Sequence, residues 1–165
     1  SGTDQWSDGA SDPTQNINTG KEAVRTSVGI YPNTLLLSAQ AFNALKNHPT
    51  IIERFKYTSR DSVTPDMLST LLDLDQVVVG KAVAFDGDGN DIDIWGNNAI
   101  LAYVPTAPSG MEDPSFGYTY TMDGYPLVER PYYENNAKSW IFPVTYERVP
   151  VLTGILSGYL IQNPA

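Results

Sequence analysis

With 165 residues, 41% of them hydrophobic, the chain carries enough apolar material for one domain, or one lobe plus part of another, with a real core. Cysteine is absent, which excludes disulfides, thiolate metal sites and cysteine nucleophiles, and no apolar run reaches the length of a membrane span. The net charge of −9 is unevenly placed: residues 61–93 hold eight acidic side chains against Lys81 alone, and no Lys/Arg cluster is available to neutralise phosphates, which argues against a nucleic-acid site.

The opening Ser1-Gly-Thr3 has neither an initiator Met nor a basic-then-apolar leader, and is read as the start of a truncated or processed product. Residues 1–10 are polar and glycine-containing, so an irregular, loosely anchored segment is expected. Asp12 with Pro13 marks a helix start, Ile17, Val24 and Val28 lie near one face, and Gly29 is the stop. Gly20 weakens that helix by about 1 kcal/mol relative to Ala. Residues 34–37 form a short apolar strand. Ser38 follows as the cap of a second helix, with Ala41, Phe42 and Leu45 on one face. Pro49, which needs no N–H at a helix start, opens a third helix bearing Ile51, Ile52 and Phe55.

Residues 60–63 read as a polar connection. Thr64 caps a fourth helix beginning at Pro65, with Met67, Leu68, Leu71 and Leu72 as a broad buried stripe. Residues 76–85, valine-rich and apolar on both faces at the start, are expected to form one central strand. Residues 86–91 are a turn, 92–95 a short returning strand, and 99–104 an interior strand. The Pro/Ser/Gly-rich stretch 105–114 is a loop. Phe116, Tyr118, Tyr120 and Met122 then alternate with Gly and Thr, the pattern of a strand with two unlike faces. Prolines 126 and 131 limit the next stretch to short or edge strands; residues 140–149 alternate again around Pro143, and 151–162 make the last strand. Helices mixed with strands, followed mostly by strands, indicate an α+β fold.

The ordered set of motifs resembles tailed-phage (prophage) major capsid proteins of the HK97-like fold. It comprises Asn33-Thr-Leu-Leu-Leu37, Leu45-Lys-Asn-His-Pro49, Ile52-Glu-Arg-Phe-Lys-Tyr57 and Thr64-Pro-Asp-Met-Leu68 running into Val77-Val-Val-Gly-Lys-Ala82. Trp95-Gly-Asn97 and Gly158-Tyr-Leu-Ile-Gln-Asn163 follow, and Asp4-Gln-Trp-Ser7 with Ser11-Asp-Pro13 is similar to the family's segment after its long spine helix. The resemblance implies a structural subunit rather than an enzyme, located in the virion capsid and made in the bacterial host cytoplasm. It implies a mixed A-domain sheet flanked by helices, plus part of a P-domain. Residues 1–32 would lie on the P-domain side, 33–149 would form the A-domain-like core and 150–165 the C-terminal strand. By the same resemblance, the family's N-terminal arm, extended loop and spine helix would be missing from this chain. Implied partners are other copies of the subunit, in pentamers and hexamers, with no specific nucleic-acid site, no membrane and no small-molecule substrate. No catalytic, cofactor-binding or metal residues are assigned.

Other readings of the residues stay open beside this one. Asp86-Gly-Asp-Gly-Asn-Asp-Ile-Asp93 invites a cation, since alternate carboxylates can wrap calcium. The EF-hand template fails, because its sixth and twelfth positions hold Asp91 and Asn97, and a plain glycine-rich hairpin turn is favoured. His48, the only histidine, is read as structural, since no Gly-x-Ser-x-Gly elbow accompanies it. The ten tyrosines concentrate after Tyr103; most of them, with Trp95 and Trp140, are expected in the core. Rival functions are a β-rich ligand- or calcium-binding module, a hydrolase with scattered carboxylates, and, within the structural class, an encapsulin-like shell protein.

Overall fold

The computed structural model describes residues 5–56, 62–108, 110 and 113–165. They fall into two compact units, one of the described residues up to 116 together with 154–165, and one of residues 117–153.

The first unit begins its regular structure with α1 (Pro13–Val28). The Asp12 carboxylate accepts the Gln15 N–H at 3.0 Å, and Gly29, at φ 78°, donates its N–H back to the Arg25 carbonyl. β1 (Thr34–Ser38) passes directly into α2 (Ala39–Asn47), because the Ser38 hydroxyl accepts the Ala41 N–H at 3.1 Å. His48 ends α2 and caps α3 (Pro49–Phe55). α4 (Pro65–Leu72) is capped by Thr64 and closes on Asp73 in the left-handed region at φ 53°. Both carbonyls there, Leu72 and Asp73, accept hydrogen bonds from the Lys21 ammonium of α1 at 2.9 Å, which ties the two helices together. β2 (Gln76–Gly80), β3 (Val83–Phe85), β4 (Asp91–Asp93) and β5 (Asn98–Ala102) follow.

The second unit holds β6 (Tyr118–Thr121), β7 (Leu127–Val128), β8 (Tyr132–Glu134), β9 (Ser139–Ile141), β10 (Val144–Thr145) and β11 (Arg148–Val151). They pair only as two-stranded antiparallel ribbons: β6 with β11, β7 with β10, β8 with β9. The chain then returns to the first unit through a 3₁₀ turn (Ile155–Ser157) into β12 (Gly158–Gln162).

The first unit is organised by a four-stranded sheet in the order β12-β5-β1-β2, parallel between β1 and β2 and antiparallel elsewhere. Register puts Leu35, Leu37, Val77, Ala99, Leu101, Tyr159 and Ile161 on one face, where they pack with Ile17, Ala41, Leu45, Ile51, Leu68 and Leu72 from the helices. Asn33 locks the register at the head of β1. Its side-chain amide donates to the Val104 carbonyl and the Asp75 carboxylate, its Oδ1 accepts the Val104 N–H, and its own carbonyl accepts from Asp75 and Gln76. Gly20 sits where α1 crosses the sheet; a β-carbon there would lie 2.7 Å from Leu101 Cδ1 and 2.8 Å from Tyr159 Cδ1. The residue that weakens the helix is thus the one that lets it approach.

The opposite face carries a row across all four strands, Leu160–Ile100–Leu36–Val78, flanked by small and polar rows. Two aromatic rings close its diagonal corners: Trp95 lies on Gly80 and Phe116 on Gly158, each where a β-carbon would stand.

The mixed α+β architecture and the helix boundaries agree with the sequence reading; several strand expectations are corrected. Residues 76–85 do not form one central strand. β2 is an edge strand that stops where the Trp95 ring occupies the space over Gly80, and the chain beyond it folds into a separate hairpin, β3 with β4. The run 140–149 breaks into pieces of two and three residues around Pro143, and the last strand starts at Gly158, not at 151. The helical stripe of α4 is narrower than expected, with Leu68 and Leu72 buried and Met67 and Leu71 only half-buried. Within the expected connection 60–63, residues 60 and 61 lie outside the described residues, and Val63 is buried.

The largest correction concerns residues 5–10, which are irregular but not loosely anchored. Trp6 is 1% exposed and belongs to the core, and its backbone N–H donates to the Pro164 carbonyl. The Gln5 and Asn97 side-chain amides both donate to the Ala165 carbonyl oxygen, at 3.1 and 2.6 Å. Truncating a buried tryptophan costs about 3–5 kcal/mol, so Trp6→Ala is expected to lower unfolding free energy by that amount in urea titration, more than any change elsewhere in residues 5–10.

Candidate interaction surface

No side chain between Gly117 and Thr153 is buried. The ribbons of this unit are too short and too interrupted by Pro and Gly to fold one apolar face over another. A two-stranded ribbon is only marginally stable in water unless something packs on it. Here the exposed side chains are large and apolar: Trp140 is 63% exposed and Phe142 71%, joined by Val128, Val144, Val149 and Leu152. Tyr133 and Trp140, opposite each other in the β8–β9 ribbon, meet edge to face with ring centroids 5.6 Å apart. The Arg148 guanidinium lies 5.2 Å from the Tyr146 ring centroid. An exposed apolar surface of this kind has the chemistry of a recognition face rather than of a core.

The tyrosines and tryptophans are therefore distributed otherwise than the alternation suggested. No tyrosine among the described residues is fully buried, and Trp95 and Trp140 are both exposed. Trp6, which lacked a periodic context, is the tryptophan of the core. The signal available in the sequence was the recurrence of proline at 126, 131, 143 and 150, which limits the strands there to short or edge pieces.

The β3–β4 hairpin is a second exposed element. Val83 pairs with Asp93 and Phe85 with Asp91, so two apolar and two acidic side chains share one face. Its turn is the expected glycine-rich one. Asp86 Oδ1 accepts the N–H groups of Asp88 and Asn90, and Asp86 Oδ2 accepts from the Asn90 side-chain amide at 3.1 Å. These donors, Asn90 first, hold the Asp86 carboxyl below its ordinary pKa. Among the described residues no group of three or more acidic or histidine side chains is arranged to hold a metal ion.

His48 is buried at the corner of α2 and α3. Its Nδ1 accepts the Thr50 N–H at 3.3 Å and meets the Thr50 hydroxyl at 2.7 Å. A ring nitrogen accepting there must carry its proton at Nε2, which donates to the Asp8 carbonyl at 3.1 Å and lies 3.3 Å from the Ser11 hydroxyl. The imidazole joins the N-terminal segment to the helix corner, a structural role. A shallow polar depression lined by Asn18, Lys21, Glu22, Tyr31 and Asp73 is also internally committed. Glu22 accepts from the Tyr31 hydroxyl at 2.7 Å and from Arg25, and these bonds, Tyr31 first, lower its pKa.

A family model described as phage major capsid protein E matches residues 1–113. The chain belongs to the phage major capsid protein E family. It is 38% identical over 167 residues to a major capsid protein of Burkholderia phage BcepMu, covering 99% of this chain and 54% of that protein. It is 33% identical over 125 residues to a major capsid protein of Pseudomonas phage JBD67, covering 72% of this chain and 39% of that protein. A crystal structure of a phage-related protein from Bordetella bronchiseptica RB50 matches with TM-score 0.92 and 46% identity, over 99% of this chain and 55% of that one. The chain thus spans about half the length of the capsid proteins it matches over nearly its whole extent.

Two outcomes test the local assignments. His48→Ala, which orphans the Thr50 N–H, is expected to cost about 2 kcal/mol in chemical denaturation, and His48→Asn, a competent cap, less. For Asp86, the folded pKa lies below the unfolded one, so the turn gains stability above the ordinary carboxylate range and loses it as pH falls through the folded value. NMR titration should place the Asp86 carboxyl below that range, with the Asn90 amide signal following it.

Proposed function

We propose that the chain is the C-terminal portion of a shell-forming major capsid subunit with an HK97-like fold, working as a structural element of an icosahedral virion capsid and not as an enzyme. In this reading residues 33–149 build the A-domain-like core, residues 1–32 lie on the P-domain side and 150–165 supply the C-terminal strand. The partners are other copies of the subunit, grouped in pentamers and hexamers, and the protein is made in the cytoplasm of a bacterial host. What supports the reading, beside family membership, is the second unit: 37 residues of ribbon with no buried side chain have a use for their apolar surface only when something covers it.

Assembly of this kind multiplies modest contacts. A stable specific interface buries above about 1,000 Å², and a closed shell repeats each contact many times. The chain on its own, spanning about half of its relatives' length, is then expected to associate weakly. Light scattering and negative-stain electron microscopy test this directly. The 165-residue chain should give small species only, and a protein extended to the length of the relatives should give closed particles. Extended protein that remains monomeric and particle-free under assembly conditions overturns the reading.

A further inference from the structure

The β3–β4 hairpin combines exposure with charge in a way that the core of the first unit does not require. Phe85 is 78% exposed, and Val83, Ile92 and Ile94 are exposed beside it, so neither face of the ribbon is packed. Asp86 is committed to its own turn, which leaves Asp88, Asp91 and Asp93 without ion pairs among the described residues, opposed only by Lys81 at the base. The same unit carries the opposite charge elsewhere. Around α2 and α3, Lys46, Arg54 and Lys56 likewise make no ion pair among the described residues, against the single Glu53, and Ile52 of α3 is 49% exposed, with Lys56 one turn along from it. One element thus presents apolar side chains beside carboxylates, and another an exposed apolar side chain on a corner with an excess of cations, neither set in ion pairs among the described residues.

We infer that the β3–β4 hairpin of one copy docks on the α2–α3 surface of a second copy, Phe85 covering the Ile52 patch and Asp91 and Asp93 facing Arg54 and Lys56. The inference rests on the reading that the chain associates with copies of itself, and it names the faces. Because the two faces differ, the contact is head-to-tail, the type that generates rings when the rotation between neighbours closes. The carboxylates and cations orient the encounter and reject the wrong register; the burial of Phe85 holds it.

Sedimentation velocity on the full chain, at about 50 mM and about 500 mM salt, provides the test, since exposed charge pairs weaken as the screening length shortens. Asp91→Lys with Asp93→Lys in one chain, and Arg54→Glu with Lys56→Glu in another, should each weaken self-association about tenfold or more, as should Phe85→Ser. All three should keep the wild-type melting temperature, because the sites are exposed. An equimolar mixture of the two charge-reversed chains should recover wild-type association, since each then meets a complementary face. Charge-reversed chains that associate as wild type, or a mixture of folded chains that fails to recover, overturn the inference. So does a wild-type chain that stays monomeric up to about 1 mM, the weak end of specific association. Shell formation by the extended protein is judged separately, so loss of the hairpin contact and loss of the capsid reading give different results. If Trp140→Ser abolishes association while the hairpin variants do not, the occupied face is the second unit and the hairpin inference fails.

Discussion

Burial of one face of a four-stranded sheet is the constraint from which the first unit follows. Leu35 and Leu37 on β1, with Ala99 and Leu101 on β5, are fully buried, and the helices are placed wherever they can cover that face. β1 is inside the sheet and shares its register with both neighbours, so a slip of one residue would turn every one of these side chains to the other side. Asn33 opposes such a slip by bonding to both flanking segments at once. Gly20 serves the same end from above, by letting α1 lie close against Leu101 and Tyr159.

Local chemistry was the legible part of the sequence. Asp12, Ser38 and Thr64 each cap the helix they were expected to cap, because a short polar side chain before a periodic apolar run has few other uses. The hairpin turn at Asp86 was legible for the same reason: glycine and asparagine tolerate the required backbone angles, and Gly89 sits at φ 83°. Tertiary facts were not legible. Three valines in β2 look the same in an edge strand and in a central one, and only the ring of Trp95 over Gly80 explains where that strand ends. The tyrosine alternation of β6 was real, with Tyr118 and Tyr120 on one face at 6.2 Å between ring centroids, but alternation reports a face and not what covers it. Trp6 stands outside any periodic segment, so nothing in its neighbours marked it for the core.

The exposed surfaces follow a division of labour between rigid and unfinished parts. The first unit contains its own core and capped helices, so it can hold the α2–α3 corner in a fixed position. The second unit, made of ribbons alone, has the opposite property: its apolar side chains have no internal destination. If the proposed shell-forming role holds, leaving such surface outside a subunit transfers part of the stabilising free energy from folding to assembly. On that proposal, stability measured on the dilute chain would omit a contribution that arises only between copies.

The knot of contacts joining Gln5, Trp6, Asn97, Pro164 and Ala165 has a mechanical consequence. The two ends of the described chain leave the first unit side by side, so a pull on one against the other loads these few bonds in series, before any strand of the sheet bears tension. Under stress the chain would give way at its own seam, with Trp6 withdrawn from among its neighbours first and the sheet behind it still intact.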